Sequence, residues 1–256
     1  MLVIFDSLPE FIATVKDEVT RPYHESSAWT ANVSFDEAIE KTLHGDASYV
    51  PAAEKLIEQL TLTMPRTRGF KTVASPYGGR CKFSDWQVGS PTPMRRRIRT
   101  STEYGPIKIV VSTTSSYGIT AETMAKRGTA ILALLLKLQE LRPIELYLLA
   151  ETDGKQDGWY YQYIRVETKP LDIAIAAFVL CNVGFARHLT YDLARVLDGF
   201  KGRWPSDYKK SNYASRRASR LGFVYEDIMI KGVNHKDKLV TKPVEWLYEQ
   251  LKKYQV

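Results

Sequence analysis

Residues 107–149 constrain this chain more tightly than any other stretch. Residues 107–111 are an apolar, β-rich run, 120–141 carry a long helical pattern, and 144–149 are a second β-rich run only two residues further on. Two strands flanking one helix with so short a return make a βαβ unit, which predicts parallel strands and a right-handed crossover. The alternation then continues. Residues 159–167 alternate large with polar side chains as an exposed or edge strand would, and 172–183 and 186–197 are apolar at helical spacing. Residues 227–231 form a last short strand, and 243–254 close with a helix. The pattern predicts a three-layer α/β fold, a mostly parallel sheet with helices on both faces.

Two small helices are expected ahead of this core. Ser34 and Glu37 make a capping box for one that Gly45 can end, and a second runs over about 52–60 with Leu56, Ile57 and Leu60 on one face. Residues 64–106, rich in Pro, Gly, Thr and Arg, read as loops and short strands. The expected organisation is an N-terminal extension of helices and basic loops over 1–106, packed on an α/β core over 107–256.

The formal net charge of +7 is segmental. Residues 64–100 hold nine cations, Arg95, Arg96, Arg97 and Arg99 among them, against Asp85 alone. Residues 199–220 hold Lys201, Arg203, Lys209, Lys210, Arg216, Arg217 and Arg220 against Asp207 alone, interleaved with Trp204, Tyr208 and Tyr213. Rings of this kind stack on bases while cations neutralise phosphates, so these residues are candidates for nucleic-acid or polyanion binding. A protein-docking loop and an idle solvated loop are the competing readings of the same residues.

Other chemistry finds little support. The longest plain apolar stretch stops at Lys137, far short of the roughly 20 residues a membrane-spanning helix needs. The first residues lack the basic start of a secretory signal. Two cysteines supply neither a disulfide framework nor a cysteine-based zinc site, so an intracellular setting fits and no membrane partner is expected. No GxxxxGK[ST] or GxGxxG follows residue 111, no HExxH joins the four histidines, and no GxSxG marks a nucleophile. His188 and Cys181 read as packed residues, and Cys81, between Arg80 and Lys82, has no evident catalytic partner.

Three stretches together resemble an uncharacterised protein family of tailed phages and prophages. They are Ser34-Phe35-Asp36-Glu37-Ala38 ending at Gly45, Gly89-Ser90-Pro91-Thr92-Pro93-Met94, and 107–141 with Lys126-Arg127-Gly128 inside the helix. That family's core looks like a von Willebrand factor A domain. The resemblance implies a phage protein of that fold, in the cytoplasm of the infected bacterial host or associated with the virion; it implies no activity. In von Willebrand factor A domains the loop after the first strand reads Asp-x-Ser-x-Ser and, with other loops, holds Mg²⁺. Laid on this chain, Ser112 takes the Asp position and Thr114 and Ser116 the hydroxyl positions, with Asp172, Glu151 and Asp153 in or near loops facing the same sheet. The loop carboxylate is missing, and hydroxyls alone bind Mg²⁺ weakly. No cofactor beyond a weakly held Mg²⁺ is therefore expected, and the hydroxyls are expected to satisfy backbone amides and cap the helix.

Three functions follow, in order. The first is a non-enzymatic docking or assembly module that contacts a phage or host protein. The second is a nucleic-acid-binding protein of phage replication, transcription or packaging, holding DNA or RNA with segments 64–100 and 199–220. The third is a metal-dependent hydrolase or nuclease built on Glu151, Asp153 and Asp172.

Overall fold

A computed structural model describes residues 2–23, 27–60, 70–77, 79–99, 106–114, 118–153, 159–168, 171–197, 228–232 and 235–254. The chain opens with β1 (Leu2–Phe5), α1 (Leu8–Glu18), α2 (Phe35–His44) and α3 (Val50–Glu58). A small module follows, β2 (Phe70–Ser75), β3 (Arg80–Cys81), α4 (Phe83–Gln87) and β4 (Met94–Arg99). Next come β5 (Ile107–Ser112), α5 (Ala121–Gln139), β6 (Ile144–Asp153), β7 (Trp159–Val166) and α6 (Ile173–Cys181). A π-helical stretch, Phe185–Thr190, runs into α7 (Tyr191–Leu197), and β8 (Ile228–Ile230), α8 (Lys238–Thr241) and α9 (Pro243–Lys252) complete the described residues.

The main sheet has the order β1-β7-β6-β5-β8. Strands β8, β5 and β6 are parallel, β7 is antiparallel to β6, and β1 is parallel to β7, so the sheet is mixed and mostly parallel. The predicted β5-α5-β6 unit is present. One face of the sheet, through Ile107, Ile109 and Val111 of β5 and Ile144, Leu146 and Leu148 of β6, enters the main core. Buried apolar side chains of α1, α2, α3, α5, α6, α7, α8 and α9 join that same core.

The opposite face carries a separate cluster of Val110, Leu149, Tyr161 and Tyr163, to which no described helix contributes. The expected second helical layer is not seen among the described residues; on the first face, α6 lies at the centre of the helical stack. Its nine residues, IAIAAFVLC, are apolar all round, so the helix needs partners on every side. It obtains them by packing against α5, α2 and α3, and the helices stack in depth on one face.

One further expectation changes. Strand β7 is not an edge: β1 pairs along its free side, and Tyr160, Gln162 and Ile164 are buried. Gln162 tolerates burial because its amide donates to the Thr190 carbonyl and the Tyr160 hydroxyl. The first 60 residues contribute to the same sheet and core. Strand β1 belongs to the main sheet, and Phe11, Ile12, Ala38 and Ala53 are core residues.

Local signals act as the residue types demand. Ser34 accepts from Glu37 N at the start of α2, and Gly45 closes that helix with φ 83°. Among the described residues no single helix is long and apolar enough to cross a membrane. The one bent pair with suitable composition, Ile173–Cys181 with Phe185–Leu197, breaks by 69° and supplies core residues.

Candidate functional site

The hydroxyl-rich turn lies at the carboxyl edge of the parallel strands, where the strand order reverses at β5, the usual place for a site in α/β sheets. Its hydroxyls extend the ladder. Thr113 donates its N–H to the Leu149 carbonyl at 2.8 Å and its hydroxyl to the same oxygen at 3.3 Å. Thr114 Oγ1 accepts from Glu151 N at 2.9 Å and donates to the Glu151 carbonyl at 3.3 Å. Strand β6 outruns β5 by several residues, and these side chains satisfy the backbone that β5 no longer reaches. Thr120 caps α5 by accepting from Thr123 N. The expectation that the turn hydroxyls satisfy backbone amides holds for Thr114, whereas the cap of α5 is Thr120 and not a residue of the turn; Ser116 lies outside the described residues.

Arg127 fixes the edge from behind. Its guanidinium, 1% exposed, donates through Nη2 to the carbonyls of Ser112 at 2.8 Å and Lys231 at 2.7 Å, joining the ends of β5 and β8 to α5. Gly128 is its necessary neighbour. A Cβ at that position would lie 2.3 Å from the Leu180 carbonyl oxygen and 2.5 Å from Cys181 Cα, so α6 crosses α5 there backbone to backbone.

Glu151 is the chemically distinctive residue. It is 2% exposed, and its Oε1 has no hydrogen-bond partner. Burial pushes its pKa up to about 7, against the smaller opposing effect of the Ser112 hydroxyl. Such a carboxyl holds a proton near neutrality. A cation fits the described side chains of this edge poorly: Ser112 Oγ accepts from Thr114 N, Thr114 Oγ1 is used twice by backbone, and burial favours the neutral form of Glu151.

Of the other expected acids, Asp172 does not converge with Glu151. Strand β7 runs against β6, so its last residue, Val166, pairs with Leu146 at the amino end of the parallel strands. Asp172 follows it there, roughly 15 Å of strand from Glu151. It caps α6 by accepting from Ala174 N at 2.9 Å and Ile175 N at 3.0 Å. Asp153 ends β6 opposite Trp159. Among the described residues no three His, Cys, Asp or Glu side chains form a metal-binding group. Replacing Asp172 with Ala is accordingly expected to cost about 1 kcal/mol of stability in urea unfolding, as loss of a helix cap does, and to leave Mg²⁺ affinity unchanged.

Of the basic residues, Arg95 is engaged within the chain. Its Nη2 meets Asp85 Oδ2 at 2.7 Å, while Lys82 Nζ meets Asp85 Oδ1 at 2.8 Å, binding α4 to β4. Hydrogen bonding to Lys82, with the neighbouring Arg95, holds the Asp85 carboxyl below its ordinary range. Strand β4 pairs with β2 and β3 in a three-stranded antiparallel sheet, which sets Arg80 directly across from Arg95. The segment with Lys201, Arg203, Trp204, Tyr208, Lys209, Lys210, Tyr213, Arg216, Arg217 and Arg220 lies outside the described residues.

The same small module carries residues that sequence reasoning missed. Phe83 and Trp86, three apart on α4, stack with ring centroids 5.7 Å apart and an interplanar angle of 27°. They are 64% and 60% exposed, and Tyr77 and Val88 nearby in the chain are 73% and 81% exposed. The i, i+3 spacing was the available signal, but five helical residues inside a Gly- and Pro-rich stretch show no periodicity.

His188 and Cys181 are packed, as expected. His188 is fully buried with Nε2 2.8 Å from the Val33 carbonyl, which requires the proton on that nitrogen. Burial pushes the Cys181 thiol up to about 12. A second raised acid, Asp192, is pushed to about 6 by burial and accepts from Tyr23 N through both oxygens, tying the segment after α1 to α7.

Fold and site together define a mixed α/β protein whose carboxyl edge holds a protonatable buried carboxyl and whose small sheet module exposes stacked rings beside cations. The chain belongs to the family described as Domain of unknown function (DUF7192), whose model matches residues 1–254. No curated protein and no solved structure matches it.

Proposed function

We propose that the protein is a macromolecular docking module of tailed phages, non-enzymatic, acting in the infected bacterial cytoplasm or in the virion. Its body is a von Willebrand factor A-like sheet with a degenerate metal loop, and its contact surface is the small module of residues 70–99. The succession of β5, hydroxyl turn, α5 and parallel β6, with Ser112 where the metal-binding loop would have an acid, supports the likeness.

One observation carries the docking reading. Four of the eight large apolar side chains exposed among the described residues, Tyr77, Phe83, Trp86 and Val88, fall within twelve consecutive positions. Exposed apolar side chains scattered singly are ordinary, whereas a concentration of them beside charge marks a contact surface. Large patches left in water also invite aggregation, so a partner that covers them gives the concentration a purpose.

The test is affinity capture from infected cells by the wild type and by a Tyr77→Ser/Val88→Ser variant, with and without nuclease. Both side chains are exposed, so the variant is expected to fold and to lose the captured partner. Identical capture by the two proteins contradicts the reading. Segment 199–220 adds charge to the same function: combined Arg216→Ala and Arg217→Ala is expected to lower the salt needed for elution from a polyanion column while leaving the melting temperature unchanged. Unchanged elution removes that segment from the interface.

A further inference from the structure

We infer that Phe83 and Trp86 form a stacking platform for the bases of single-stranded nucleic acid, with the cations of the same sheet module holding the phosphates. The inference rests on the docking reading and names its partner. The two rings meet each other at 27° and stay more than half exposed, so their outer faces are open to a third planar group. Every base has such a face, but a duplex keeps its bases stacked on one another and unavailable.

The charge around the platform selects an anion. Residues 70–99 contain seven cations, five of them arginines, and a single acid, Asp85. That acid is bridged by both Lys82 and Arg95, so it offers no bare negative charge to repel a phosphate. The Asp85–Arg95 ion pair also fixes α4, and with it both rings, against the arginine-rich strand β4. Arg80, exposed and directly across from Arg95 in the ladder, has no acidic partner among the described residues. Arginines in the same short module as a stacked ring pair suit a chain of alternating bases and phosphates. An acidic protein surface would supply charge without the flat partners the rings require.

The experiment measures fluorescence anisotropy of labelled oligodeoxythymidine, a duplex of the same length and labelled polyglutamate with the full chain at physiological ionic strength. The single strand is expected to bind, and Phe83→Ala/Trp86→Ala to weaken it by about 30-fold or more while far-UV circular dichroism stays unchanged. Trp86→Phe keeps a stacking ring and is expected to retain binding within about threefold. It should also reduce the oligonucleotide-induced quenching of tryptophan emission. No binding of the single strand, or equal binding by the double variant, overturns the inference. Polyglutamate binding that depends on the two rings, without oligonucleotide binding, overturns it too but leaves the docking reading standing. Identical capture from infected cells by wild type and surface variant is the separate failure of that reading.

Discussion

Gly128→Ala is expected to destabilise the protein by about 3 kcal/mol or more, lowering the melting temperature by roughly 6 °C or more. The sign is the informative part. In an ordinary helix interior the same change stabilises by about 0.5–1 kcal/mol, because glycine loses more backbone freedom on folding than alanine. Here the new methyl group would lie 2.3 Å from the Leu180 carbonyl oxygen and 2.6 Å from Leu180 C. Those atoms are main chain and cannot rotate aside, so α5 and α6 must separate. Because Arg127 precedes Gly128 on α5 and holds the carbonyls of Ser112 and Lys231, the displacement would also loosen the carboxyl edge of the sheet. Differential scanning calorimetry checks this, and an unchanged or raised melting temperature contradicts the crossing described.

The second large effect depends on pH. Glu151 has a folded pKa raised to about 7 from an ordinary value of 4.5. Between those two values the unfolded chain has released the proton and the folded chain keeps it. Stability is therefore fully present below about 4.5, falls as pH rises towards 7, and levels off above. Glu151→Gln removes the ionisable group while keeping the shape. Urea unfolding is expected to show the variant more stable than wild type by about 3 kcal/mol at pH 8 and equal to it at pH 4. Mg²⁺ is expected to change neither curve. A wild type that gains stability with Mg²⁺ at pH 8 would mean that the carboxyl edge grips a cation after all.

The central βαβ unit was legible because its signals are local and redundant: two β-rich runs, a capped helix between them and a two-residue return. Gly45 and Ser34 were legible for the same reason, since caps act within one turn. What stayed hidden depends on distant partners. Strand β1 is four residues long and has no period to read; only its pairing with β7 makes it a strand and moves β7 inside the sheet. Arg127 within a helix reads as a surface charge, and its burial follows from two carbonyls that arrive from separate strands. Asp172 looked near enough to join the hydroxyl turn, but the reversal of β7 sends it to the opposite edge. Glu151 was noticed as an acid near a loop, while its protonation depends on burial that no sequence interval specifies. The exposed pair on α4 escaped because two aromatic residues in a turn-rich segment give no clue to whether the rings face inward or outward.

In the proposed reading, recognition resides in rings and cations on one small module carried by the α/β body. It is tested by the association constant for oligodeoxythymidine as a function of salt, for wild type and for the Phe83→Ala/Trp86→Ala variant. Cations release counterions and set the slope, whereas stacking is nearly indifferent to salt and sets the height. Two parallel, steeply falling lines, the variant displaced downward at every salt concentration, are the predicted result. Coincident lines, or binding that does not respond to salt, would contradict it.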